Sequence, residues 1–92
     1  MGNPNQAYFD EIENEAIQTL ITGLDDGKIT VEQYNMISQA VVKGCRKVKT
    51  PMDMFSIVNG LAELDQSEGL HLFAAFSLKH TRRLLLLAQA YR

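Results

Sequence analysis

His80 is the residue of this 92-residue chain best suited to acid–base work, an imidazole flanked by Ser77, Thr81 and a basic cluster of Lys79, Arg82 and Arg83. At about 100° per residue it falls at the centre of an apolar helical arc that also carries Phe73, Phe76, Leu84, Leu87 and Tyr91. That position allows two roles. His80 could serve as a general base or proton-sensitive switch facing a cavity, or as a packed imidazole bonded to a backbone carbonyl or to an acid. Glu13 is the acid to expect, because it intrudes on the apolar face of the first helix between Leu20 and Leu24. The packed role is the expectation.

Cys45 falls on the inward stripe of another helix, where an apolar setting raises a thiol's pKa rather than activating it. A small buried cysteine is expected there, not a nucleophile. His71 lies on the polar strip of its helix, and two distant histidines with one cysteine lack the spacing of zinc ligands. The run Asp25-Asp26-Gly27-Lys28-Ile29 invites comparison with a calcium-binding loop. Setting Gly27 at position six of that loop puts Thr22 at one, Leu24 at three and Gln33 at twelve, which removes two side-chain ligands and the bidentate glutamate. Gly-rich phosphate loops, G-x-S-x-G elbows and H-E-x-x-H motifs are absent from the sequence. The chain therefore reads as non-enzymatic, with no catalytic, cofactor or metal site.

With 46% hydrophobic and 22% charged residues and two prolines, the composition is that of a folded domain able to bury its own core. The single cysteine cannot form an intrachain disulfide, and the start Met-Gly-Asn-Pro-Asn has neither basic head nor apolar run, so a cytoplasmic location is expected. Lys79, Arg82 and Arg83 break the greasiest stretch before it reaches the roughly 18 apolar residues of a membrane span. Charge is unevenly placed: seven acids face Lys28 alone up to Glu32, and eight bases face four acids beyond it. Such a division marks either two faces for different partners or helices that neutralise one another within the fold.

Helix signals divide the chain. Asn3 before Pro4, with Gln6 following, has the form of a cap, an N1 proline and a capping-box partner. Phe9, Ile12, Ala16, Ile17, Leu20 and Leu24 then share one face. Gly27 suits a turn, Thr30 a cap, Gln33 the reciprocal bond, and Ile29 a staple onto Tyr34. A second stripe follows through Val31, Tyr34, Ile37, Ser38, Val41, Cys45 and Val48. Thr50-Pro51 with Asp53 repeats the device ahead of Met54, Phe55, Ile57, Val58, Leu61, Ala62 and Leu64. Asp65 and Glu68 resemble a further start, launching a last helix toward Tyr91. No segment sustains strand-like alternation. The predicted fold is all-α: a single domain over residues 1–92, either a four-helix bundle or an irregular four-helix fold with a long, largely apolar C-terminal helix, its helices at about 4–24, 31–47, 51–64 and 66–91.

The last helix carries more grease than one bundle needs. Its apolar arc spans about 200°, and Leu72, Ala75, Leu86 and Ala90 still fall on the strip that holds His71, Lys79, Arg82, Arg83 and Gln89. Such a helix is either central in its domain or covered by another chain. The expected function is a small protein–protein interaction module of adaptor, chaperone or regulator type, binding another protein or a second copy of itself as a homodimer. Leu72, Lys79, Arg82, Arg83 and Leu86 are the expected contact residues, and Asp10, Glu11 and Glu15 offer a second, acidic surface. The alternative is a nucleic-acid-binding regulator that uses Arg46, Lys47 and Lys49 together with Arg82 and Arg83, against which stands a pI near 5.6.

Overall fold

The computed structural model describes residues 4–90, and in them four helices follow one another: α1 Gln6–Asp25, α2 Val31–Cys45, α3 Pro51–Glu68 and α4 Ala74–Ala90. No strand occurs among the described residues. Asn3, expected as a cap, and Tyr91, expected in the apolar arc, lie outside them. The first helix starts after Pro4 rather than on it, and Gln6 is turned along the helix, its Nε2 donating to Asp10 Oδ1 at 2.9 Å.

The second start is built as its residues require. Gly27 adopts φ +74°, Lys28 N–H donates to the Gly23 carbonyl at 2.8 Å and Gly27 N–H to Leu24 at 3.1 Å, so the last carbonyls of α1 are satisfied by a left-handed stop. Thr30 Oγ1 accepts from Gln33 N–H at 3.0 Å while Gln33 Oε1 accepts from Thr30 N–H at 2.9 Å. Thr50 and Asp53 form the same reciprocal pair at the start of α3. Helix α2 ends at Cys45, two residues earlier than expected, and Arg46 and Lys47 form a turn.

The largest departure from the sequence expectation is at the α3–α4 junction. Asp65 and Glu68 do not begin a helix; they are the last turn of α3, which stops at Gly69 with φ +64°. Leu70 N–H donates to the Asp65 carbonyl at 3.0 Å and the Leu70 side chain is buried, which is the hydrophobic partner such a stop requires. His71 follows at φ +57°, a left-handed conformation that ordinary side chains rarely take. Asp65 then acts across the turn. Its Oδ1 accepts from Leu72 N–H at 2.7 Å and its Oδ2 from Phe73 N–H at 3.1 Å, so a carboxylate near the end of one helix fixes the entry to the next. The final helix consequently begins at Ala74 rather than near 66, and Leu72 is not on it.

The core follows the predicted stripes except at Val31, expected on the inward face of α2 and 61% exposed. Phe9, Ile12, Ala16 and Leu20 of α1, Ile37 and Val41 of α2, Met54, Val58 and Leu61 of α3, and Phe76 and Leu84 of α4 are buried together with Ile29, Leu70 and Phe73 from the connections. Each large side chain so hidden contributes about 1.5–3 kcal/mol of transfer free energy. The principal packing is α1 on α2 and α3 on α4, two helical hairpins laid against each other.

The Cα atoms span 41 × 24 × 16 Å. Helices packed in two layers, with axes about 8–10 Å apart and a Cα radius of about 2.3 Å, account for the shortest dimension and leave no room for a third. No helix is therefore enclosed on all sides. The possibility that α4 is the central helix of an irregular fold is removed, and no helix among the described residues is long and apolar enough to cross a membrane.

Candidate functional site

His80 sits in a polar link between α1 and α4. Its ring is 1% exposed, with Nδ1 at 2.8 Å from the Tyr8 hydroxyl and Nε2 at 2.7 Å from Glu15 Oε2. Ionised Glu15 can only accept, which places a proton on Nε2. Nδ1 then accepts from the Tyr8 O–H when the ring is neutral and donates to the Tyr8 oxygen when it is charged. With both nitrogens occupied and the ring buried, this geometry joins two helices and offers no free base to a substrate. The acid is Glu15, not the expected Glu13; Tyr8 and Glu15, seven residues apart on α1, lie on one helical face.

The link is extended on both sides. Lys79 Nζ lies 3.4 Å from Glu15 Oε1, and the Arg83 guanidinium carbon lies 4.2 Å from the centre of the Tyr8 ring. Burial raises the Tyr8 hydroxyl's pKa, Arg83 opposes that, and Glu11 and Glu15 reinforce it. For Glu15, burial acts upward but is outweighed by the hydrogen bond and charge of His80 and by Lys79, which together hold the carboxyl below its ordinary value. Asp53 is also held low, first by the Lys49 backbone N–H and then by that of Thr50.

An acid titration follows from these two directions. A carboxyl lowered by folding adds stability that is full above its unfolded pKa, 4.5 for Glu15 and 3.8 for Asp53, and is lost as pH falls through the folded value. The unfolding temperature is expected to decline as pH drops below about 4.5, and Glu15→Gln to make that decline shallower. The glutamine oxygen still accepts from His80 but does not titrate. An equally steep decline in the variant would remove Glu15 from this account.

Cys45 is half-buried, and its thiol is pushed up to about 11 by burial, with Glu13 and Asp10 adding to the effect. It is a packing residue with little thiolate at neutral pH. Among the described residues no three of histidine, cysteine, aspartate and glutamate gather as a metal site would require.

The structure redistributes the expected contact residues. Leu72 lies in the α3–α4 connection, half-buried against the core; a Cβ on Gly23 would stand 2.9 Å from its methyl carbons, so the bare glycine is its seat. Lys79 and Arg83 are exposed but engaged with Glu15 and Tyr8. Glu15 in turn is committed to His80 and Lys79, whereas Asp10 and Glu11 remain exposed on α1. Arg46, Lys47 and Lys49 are exposed between α2 and α3. Of the five residues expected at a partner surface, Arg82 and Leu86 stay on an open face, and Arg82 makes no ion pair among the described residues.

That face is more apolar than expected. Leu78 and Leu85, which the sequence reading named on neither face of the helix, are 74% and 43% exposed, and Leu86 is 61% exposed. All three lie opposite the Phe76–His80–Leu84 stripe, with Arg82 between them. A two-layer fold covers α4 on one side alone, so this outer face is left to solvent.

A second apolar feature has no counterpart in the sequence expectations. Between α2 and α3 runs a groove of about 430 Å³ lined by Met36, Ala40, Ile57, Gly60 and Leu64, with Glu68 at one end. The two helices approach closely at Gly44, where a Cβ would lie 3.2 Å from Ile57 Cδ1. Farther along, Ala40 and Gly60 present too little side chain to close the gap, and a Cβ on Gly60 would meet no atom within 4 Å. The signal was the pair of small residues beside exposed Met36, visible only once α2 and α3 are known to face each other.

Compared with known proteins, the chain matches no family model, no curated protein and no solved structure.

Proposed function

We propose that this protein is a small non-enzymatic interaction module that self-associates through the outer face of α4. One observation carries the reading: the four helices already enclose a core, yet Leu78, Leu85 and Leu86 stand exposed around Arg82 on a single helical face. Apolar side chains clustered in this way favour burial against a second surface, and an arginine among them can cover apolar area with its stem while its head stays wet. A role as adaptor, chaperone or regulator fits such a surface. The one cysteine, a free thiol, fits a reducing compartment such as the cytoplasm.

Leu86→Glu is the direct test. Because Leu86 is 61% exposed, the variant is expected to keep its helical circular dichroism and to shift light scattering toward the monomer. Loss of helical signal would make Leu86 an internal residue, and an unchanged mass in a folded variant would end this reading. Nucleic-acid binding through Arg46, Lys47, Lys49, Arg82 and Arg83 draws less support, since Arg83 already lies over Tyr8. A titration of nonspecific DNA at low salt separates the two, because phosphate contacts strengthen as salt falls.

A further inference from the structure

We infer that the groove between α2 and α3 is the seat for the α4 face of a second copy of this chain. The inference rests on the reading of that face as a self-association surface and adds what it meets. The groove is a concave apolar channel, whereas the Leu78–Leu86 face is convex, and each needs what the other supplies.

Dimensions agree. Leu78 and Leu85 are seven residues apart, about 10.5 Å along a helix, and Ile57 and Leu64 on the groove wall are separated by the same interval. Two anchors one heptad apart are how an amphipathic helix lies in a groove. The open Cβ position of Gly60 falls between those wall residues, where an incoming helix can approach most closely. Charge agrees too. Every ionisable residue of α3 is acidic, Asp53, Glu63, Asp65 and Glu68, and Glu68 lines the groove without an ion pair among the described residues. The ionisable residues of α4 are Lys79, His80, Arg82 and Arg83, of which Arg82 is the base left on the open face. Glu68 at the groove and Arg82 on the open face are thus opposite charges beside two apolar surfaces.

Because groove and helix are different patches, the contact is head-to-tail, and copies continue to add unless a ring closes. This distinguishes it from two α4 faces pairing across a twofold axis. Two variants separate the cases. Gly60→Arg fills the groove and opposes Arg82, at a position where an added Cβ is unobstructed. Leu78→Glu places an acid on the open face at a residue 74% exposed. Both are checked for helical content and thermal unfolding before sedimentation.

The full-length chain is expected to sediment as an associating species and each variant alone as a monomer. An equimolar mixture is expected to form a one-to-one pair, since the intact helix of the Gly60→Arg chain can enter the intact groove of the Leu78→Glu chain. Association of folded Gly60→Arg equal to that of the parent would overturn the groove as the seat while leaving α4 as a self-association surface. A mixture that stays monomeric would overturn the inference as well. A parent chain that is monomeric at high concentration would overturn both this inference and the reading beneath it.

Discussion

Asp65→Ala is expected to destabilise the protein by about 3 kcal/mol, measured as a lower urea midpoint with an unchanged slope. The carboxylate accepts from two backbone amides, Leu72 N–H at 2.7 Å and Phe73 N–H at 3.1 Å, and Asp65 is itself buried. Alanine leaves both donors without an acceptor in a region closed by Leu70 and Phe73. An unsatisfied buried donor costs about 1–3 kcal/mol, more than the bond contributes when both partners are present. Asp65→Asn should cost about half as much, because one oxygen remains to accept. Amide exchange in the first turn of α4 should accelerate in both variants ahead of global unfolding. A loss below about 1 kcal/mol in the alanine variant would mean that water satisfies the two amides and that the turn, not the carboxylate, sets the start of α4.

The second large effect is expected at His80. His80→Ala removes a ring packed edge-on against Phe76, with centroids 4.9 Å apart, and tilted against Tyr8 at 5.7 Å. It also deprives Tyr8 and Glu15 of their shared partner. Cavity and lost hydrogen bonds together predict a destabilisation of about 3 kcal/mol. Tyr8→Phe is milder, at about 1–2 kcal/mol, because it leaves a buried Nδ1 unpartnered without opening a cavity. The two changes should not add: once His80 is gone, the Tyr8 hydroxyl no longer has its ring partner, and its removal costs little. Additive losses in a double-mutant cycle would show that the 2.8 Å Tyr8–His80 contact carries no coupling energy.

These predictions fall on residues that sequence patterning reads unequally. The apolar stripes of α1, α2 and α3 were legible because helical periodicity selects the buried face before any tertiary contact exists. Phe9, Ile12, Ala16, Leu20, Ile37, Val41, Met54, Val58 and Leu61 are buried on that pattern. The Thr30–Gln33 and Thr50–Asp53 caps were legible for the same reason, since both partners lie within one turn of chain. The end of α3 was misread although its signal was local. Gly69 followed by apolar Leu70 marks a helix stop, whereas Asp65 and Glu68 also fit the pattern of a start. Helical periodicity does not choose between those two readings, because the apolar residues Leu70, Leu72 and Phe73 continue the grease of the helices on either side.

Residues of identical type on one helix were sorted by what stood across from them. Leu84 is buried and Leu78 is 74% exposed although both are leucines of α4. Lys79 and Arg83, both exposed, reach across to α1 because Glu15 and Tyr8 are presented there, and Arg82, on the outer face, makes no ion pair among the described residues. Sequence by itself determined the helical class, the core faces of three helices and the caps that start two of them, since each depends on residues a few positions apart. Tertiary structure alone decided which acid holds His80, which leucines of α4 are left in solvent, and that Ala40 and Gly60 open a groove. Those outcomes depend on residues up to 72 positions apart, as Tyr8 and His80 are, and on a two-layer packing that covers one side of each helix.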